Sequence, residues 1–260
     1  MYCPVQLYWR NDEPNPGGYV DDLDLSDTTA VDGRKLIEAA ESDWSRPVPQ
    51  CPEWDLAGLV RHTGGIFAWM AAVVSTGEFV DLRAVDPSPD ADTDLGPWYL
   101  DNVDRTLGVL RDADPEAKAW TFSRLGDQSV AWWRRRLAVE VAIHRWDAEH
   151  AAEIDPSPLD PHVAAAGLEE FIIEFLPGLL AQDAAEKPTG TLHLQPTDSA
   201  EEYWLDLDHS GASRPDLMAA STAIRGTGSD LLLWMTNRRP VHVDVQGEGD
   251  AFTKWIELKR

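Results

Sequence analysis

The segment at residues 132–150, WWRRRLAVEVAIHRWDAEH, constrains this chain more than any other stretch. Its pattern predicts a long α-helix, and Glu140 and His144 lie four residues apart within it. That spacing places both side chains on one helical face, one turn apart. The same face carries large apolar residues, so a carboxylate and an imidazole are directed into the protein together. Because a buried carboxylate is costly unless it is paired or coordinates a cation, the pair predicts part of a metal site.

His62 is the candidate for the third ligand. It lies on the inward face of a second predicted helix, for which Asp55 is a suitable N-cap. A single inward histidine is more often a hydrogen-bonded core residue than a ligand. The assignment of His62 as a ligand therefore depends on the presence of Glu140 and His144. Two histidines and one carboxylate suit catalytic zinc, which keeps a fourth position open. Nickel, iron or manganese could occupy the same site.

Charged side chains close to the pair have two interpretations each. Asp147 shares the face of His144 and could support that ligand, or it could pair with an arginine. Arg134, Arg135 and Arg136 concentrate positive charge, which favours ordinary surface ion pairs. The alternative is that one of these arginines faces a cavity and binds a substrate carboxylate.

Composition limits the partners. The net charge of −24 disfavours nucleic acids and anionic membrane surfaces. No uninterrupted apolar run reaches the ~18 residues of a membrane span, and the first residues lack a signal-peptide pattern. Cys3 and Cys51 form neither a disulfide framework nor a paired zinc motif. We therefore expect a cytoplasmic protein, monomeric or homodimeric, that acts on small molecules.

The order of patterns predicts a two-domain protein of the α + α/β class. Residues 1–27 read as an arm, residues 28–186 as a bundle of four to five helices, and residues 187–260 as a small α+β domain. Helices are predicted at about 28–44, from 54 onward, and at 97–113, 128–152 and 161–180. Strands follow at 191–196, 201–208, 219–225 and 241–247, with helices at 229–239, capped by Ser229, and at 250–258.

Two long motifs resemble a known family. The segments VPQCPEWDLAGLVRHTGG at 48–65 and WWRRRLAVEVAIHRWDAEHA at 132–151 are similar to the mycothiol-dependent maleylpyruvate isomerase family, within the DinB-like helical-bundle superfamily. Shared features are the V-P-x-C-P-x-W entry, a histidine eight residues after the tryptophan, and the H-R-W-D-A sequence. The segments IRGTGSDLLLWMTNRRP and VQGEGDAF resemble the family's small sterol-carrier-like C-terminal domain.

The resemblance implies a site and a cosubstrate. It implies that His62, Glu140 and His144 bind a divalent metal, usually zinc, and that mycothiol is the thiol cosubstrate. It also implies an arginine that serves activity from the C-terminal domain. Arg238 is the best match by position, and Arg239 and Arg225 are the alternatives, expected otherwise to contact the cosubstrate.

The chemistry of such a site predicts the function. A thiol bound to the metal's open position is deprotonated to the nucleophilic thiolate. The thiolate can add to an activated double bond and leave again, which is cis–trans isomerisation, or displace a leaving group, which is S-transfer. The alternatives are a metal-dependent hydrolase with Asp147 as general base, and a non-catalytic protein that binds a thiol conjugate or another small molecule.

Overall fold

The computed structural model describes residues 25–85, 87–180, 189–207 and 220–247. The predicted arm therefore lies almost wholly outside the described residues, as does the predicted helix at 250–258. The chain divides into two compact units, one at residues 22–163 and one that includes the described residues from 164 onward.

Four long helices build the first unit. They are α1 (Ser26–Ala40), α2 (Leu56–Thr76), α3 (Leu95–Asp112) and α4 (Val130–Ala151). Helices α1 and α2 each pack against both α3 and α4. The core between them contains leucines, valines and the large rings of Phe67, Tyr99 and Trp133. Burial of this apolar surface is the main force that holds the helices together.

The start of α2 is fixed by local hydrogen bonds. Asp55 caps the helix as predicted, because its side chain accepts a hydrogen bond from the Gly58 N–H at 2.7 Å. The chain before it pairs with itself: Val48 N–H donates to Trp54 O, and Leu56 N–H donates to Arg46 O. These bonds hold residue 54 beside the first turn of α2.

Helix α1 ends at Ala40, earlier than predicted. The next residues form turns in which the Ser42 hydroxyl donates to Ala39 O and the Asp43 carboxylate accepts from the Ser45 N–H. Side chains of this kind compete with the helical hydrogen bonds of the backbone. The helix therefore stops before Trp44, although the apolar spacing continues to that residue.

Helix α2 is long and apolar enough, by length and composition alone, to cross a membrane. Many core helices of bundles share this property, and most of the segment is buried within the helical unit. Its position in the bundle accounts for its composition. Among the described residues it is the only helix with this property.

The second unit carries a small mixed sheet. The predicted helix at 161–180 forms α5 (Pro161–Glu170), a π-helical turn (Phe171–Phe175) and α6 (Leu176–Leu180). Strands β1 (Thr191–Pro196), β2 (Tyr203–Asp206), β3 (Thr222–Gly226) and β4 (Asp244–Gly247) follow in the spatial order β2-β1-β3-β4. Strand β1 is antiparallel to β2 and parallel to β3, and β3 is antiparallel to β4.

Helix α7 (Gly228–Met235) packs on β3 and β1. The prediction that Ser229 caps this helix is wrong. The side chain of Thr227 accepts the hydrogen bond from the Asp230 N–H at 3.1 Å, and Ser229 is buried inside the helix. The fold class is confirmed, since a helical bundle is followed by a small α+β domain.

Candidate metal centre

Three side chains from two helices converge in the helical unit. Nε2 of His62 lies 3.0 Å from Oε1 of Glu140, and Nε2 of His144 lies 3.3 Å from the same oxygen. One potential ligand atom from each residue lies within 4.8 Å of the other two. This spacing and donor set suit a divalent cation held by two imidazoles and one carboxylate. Within the described ranges, no other group of histidine, cysteine and acidic side chains has this geometry.

The helices supply this geometry in different ways. Glu140 and His144 come from consecutive turns of α4, so their proximity follows from helical spacing alone. His62 lies on α2, 78 residues before Glu140, and reaches the pair because α2 packs on α4. The site therefore depends on correct packing of these two helices.

Asp147 contacts the opposite nitrogen of His144. Its Oδ2 lies 3.0 Å from His144 Nδ1, and its side chain is fully buried. When Nδ1–H donates to this carboxylate, Nε2 keeps its lone pair facing Glu140 and His62. Carboxylates of this type orient metal-binding histidines and increase their basicity.

Arg136 holds the other oxygen of Glu140. Its guanidinium donates to Oε2, which leaves Oε1 facing the two histidines. The other two arginines lie elsewhere: Arg134 donates to the carbonyl oxygens at the C-terminal end of α3, and Arg135 donates to Asp127. One member of the arginine cluster thus reaches the candidate site, where it contacts a protein carboxylate.

Charges are strongly coupled inside the cluster. Burial would raise the pKa of Glu140, but Arg136 and His144 hold that pKa well below its usual range. Burial would lower the pKa of His144, but Glu140 and Asp147 together raise it to about 9. Glu140 is therefore ionised at neutral pH, and a metal at His144 Nε2 competes with a proton for that nitrogen.

The cluster is most open at His62. That side chain is 29% exposed, whereas Glu140 is 12% and His144 is 9% exposed. The Trp54 ring lies over His62, with centroids 4.6 Å apart, and 6.0 Å from the His144 ring. Trp54 thus shields one side of the cluster, and His62 is its most exposed member.

The three candidate arginines of the C-terminal unit have separate settings. Arg225 is exposed on β3, opposite Gln195 and Asp244 in the neighbouring strands. Arg238 and Arg239 follow α7, where Arg238 donates to Thr236 O at 2.8 Å. Arg239 donates to Trp234 O, its guanidinium lies 5.8 Å from the centroid of that ring, and burial lowers its pKa. The assignment of Arg238 to substrate orientation stays a prediction.

Sequence reasoning did not single out Arg136 or Trp54 as neighbours of the site. Arg136 carried a usable signal, because it lies four residues before Glu140 on the same helix. Trp54 precedes α2, and its contact with His62 depends on the backbone pairing of residues 46–56. Helical periodicity in the sequence does not predict that backbone pairing.

Comparisons with known proteins agree with this architecture. The domain model described as the mycothiol maleylpyruvate isomerase N-terminal domain matches residues 28–149. The model described as the MDMPI C-terminal domain matches residues 162–252. No curated protein matches the chain significantly.

Two solved structures share the fold. A crystal structure of the mycothiol-dependent maleylpyruvate isomerase has a TM-score of 0.57 at 13% identity, covering 85% of this chain and 90% of that chain. A histidine-to-alanine mutant of such an isomerase has a TM-score of 0.52 at 12% identity, covering 88% and 96%. These likenesses establish the fold, and the two domain models together span most of the sequence. The chain therefore belongs to the mycothiol-dependent maleylpyruvate isomerase family.

Proposed function

We propose that this protein is a metal-dependent enzyme that uses mycothiol as a thiolate nucleophile. His62, Glu140 and His144 hold the metal, which is zinc. The substrate is a small electrophile, and the reaction is cis–trans isomerisation or S-transfer. The proposal rests on one observation: His62, Glu140 and His144 each bring one potential ligand atom within 4.8 Å of the other two.

Each neighbouring residue has a stated part in this function. Asp147 keeps the proton on His144 Nδ1, so that Nε2 is available as a ligand. Arg136 holds Oε2 of Glu140 and directs Oε1 to the cluster. A bound zinc ion would stabilise the thiolate form of mycothiol at neutral pH. Arg238 stays the candidate for the arginine of the C-terminal domain that the family resemblance implies.

The position of Asp147 favours a thiol-using enzyme over a hydrolase. A hydrolase needs a general base that can reach a water molecule at the metal. Asp147 is fully buried behind His144, on the nitrogen opposite the cluster. This geometry suits a residue that positions a ligand, and it gives no support to Asp147 as that base.

Calorimetric titration with mycothiol tests the proposal. The zinc-loaded protein is compared with the metal-free protein and with His144→Ala, after zinc content is measured by elemental analysis. We expect one zinc per chain, thiol binding that requires zinc, and loss of both in His144→Ala. Ser129→Ala is the control on the same helix, because its hydroxyl caps α4 far from the cluster.

Three results would change the assignment. Stoichiometric zinc in His144→Ala would mean that this histidine is not a ligand. Zinc binding without any thiol binding would favour the hydrolase, and thiol binding without turnover of any electrophile would favour a binding protein.

A further inference from the structure

A cleft of about 320 Å³ adjoins the candidate metal centre on its open side. It lies in the helical unit, between α2, the segments at residues 82–85 and 87–88, and the start of α3. His62 belongs both to this cleft and to the metal cluster. The other lining residues described are Arg61, Gly65, Ile66, Leu82, Arg83, Val85, Pro87, Ser88 and Trp98.

The wall of the cleft is mainly apolar, formed by Ile66, Leu82, Val85, Pro87 and Trp98. Burying such a surface against another apolar surface is favourable. Its polar side chains are those of Arg61, His62, Arg83 and Ser88. The numerous hydroxyl groups of mycothiol, a sugar-containing thiol, would lose their water against this apolar wall without gaining hydrogen bonds from it.

Of the two arginines that line the cleft, one is paired with a carboxylate and the other is exposed to solvent. Arg61 donates to Asp92 Oδ1 at 2.8 Å and to the carbonyl oxygens of Pro89 and Asp90. Arg83 lies 3.4 Å from Asp81, and its side chain is 92% exposed. A buried carboxylate of a ligand would therefore have to displace an existing partner. The cleft is better suited to an uncharged group.

Gly65 provides space at the helix side of the cleft. His62, Gly65 and Ile66 lie on one face of α2, at spacings of three and four residues. A Cβ atom built on Gly65 would meet nothing within 4 Å. The first side-chain atom at this position would therefore project into open space.

We propose that this cleft binds the uncharged, apolar body of the electrophilic substrate, with its reactive end towards His62. The inference rests on the proposed function and specifies its substrate class. It predicts that apolar electrophiles are preferred to small dicarboxylates. Mycothiol lies outside the cleft in this proposal.

Binding of tetramethylbimane, an uncharged fluorescent bicyclic molecule, tests the proposal without turnover. Its dissociation constant is measured by fluorescence with the zinc-loaded full chain, Gly65→Leu and Gly108→Leu. Gly108 is a matched control, because it lies in α3 and a Cβ there also meets nothing within 4 Å. Leucine is a good helix former, so both variants are expected to fold.

We expect Gly65→Leu to weaken tetramethylbimane binding by at least about tenfold, since the leucine fills the space of the ligand. Gly108→Leu should bind like the unmodified protein. Mycothiol binding, measured by calorimetry, should be equal in all three proteins. Succinate should not displace the probe.

Any of four outcomes would overturn the proposal. Three concern the probe: no binding to the unmodified protein up to its solubility limit, equal binding to Gly65→Leu, or displacement by succinate. Loss of mycothiol binding in Gly65→Leu would assign the cleft to the thiol and also overturn it. Failure of the proposed function would be recognised separately, as mycothiol binding that is absent or independent of zinc in the unmodified protein.

Discussion

Replacing Asp147 with asparagine tests whether this buried carboxylate prepares His144 to bind metal. The Oδ2 atom of Asp147 lies 3.0 Å from His144 Nδ1, and no part of its side chain is exposed. Asparagine has nearly the same shape and its carbonyl oxygen can accept the same hydrogen bond, but it carries no charge. The substitution therefore removes the electrostatic support for His144 and preserves the hydrogen bond.

The expected loss follows from this geometry. Changes in the groups that support metal ligands reduce metal affinity about 10–100-fold. Because the hydrogen bond survives in Asp147→Asn, we expect a loss near the lower limit, about tenfold or about 1.4 kcal/mol. The zinc dissociation constant is measured on the metal-free protein by competition with a chromophoric chelator. The absorption spectrum of the cobalt-substituted protein provides a second measure of coordination.

Asp32→Asn is the matched control. The Asp32 side chain is 8% exposed and accepts a hydrogen bond from Arg145 Nε on α4 at 3.2 Å, without a contact to a proposed ligand. We expect it to lower stability and to leave zinc affinity within about twofold of the unmodified protein. Unchanged affinity in Asp147→Asn would refute the reasoning. Equal losses in both variants would show that any disturbance of α4 has the same effect.

Two further predictions concern stability, measured by urea unfolding. Gly64→Ala should destabilise by about 1–3 kcal/mol, because the new Cβ would lie 2.3 Å from the Trp98 ring. At Gly65 the added Cβ has open space, so Gly65→Ala should stabilise the helix by up to about 1 kcal/mol. If both substitutions changed the free energy of unfolding in the same direction, this pair of predictions would be wrong. Arg145→Met should cost about 3–5 kcal/mol, because the 1%-exposed guanidinium joins two buried carboxylates. Arg105→Met, which breaks a surface ion pair, should cost less than about 1 kcal/mol, and equal costs would refute the argument.

The segment between α2 and α3 makes contacts that its composition does not predict. The acidic composition of residues 77–96 indicates solvated surface, and Leu82 and Pro87 are indeed exposed, but with Val85 they also line a cleft beside α2. Arg61 on α2 donates hydrogen bonds to the Asp92 side chain and to the carbonyl oxygens of Pro89 and Asp90. These bonds hold residues 89–92 against α2. A composition average does not reveal such a contact, because it joins residues about 30 positions apart.

The arginine cluster gives a second example. Consecutive arginines on a helix point in different directions, about 100° apart. Their spacing is therefore compatible with different partners, and it places Arg136 one turn before Glu140. It did not predict that Arg134 would reach the end of α3, which depends on how α3 packs.

By itself, the sequence determined the helical bundle, the four strands and the shared face of Glu140 and His144, because helical and strand periodicities are local properties of the chain. Capping chemistry likewise determined that α2 begins after Asp55. The tertiary structure alone brought His62 to Glu140 across 78 residues and placed Trp54 over the histidine ring. It also formed the cleft that shares His62. These features depend on which apolar faces pack together, and that choice is made by the free energy of the whole core rather than by any single segment.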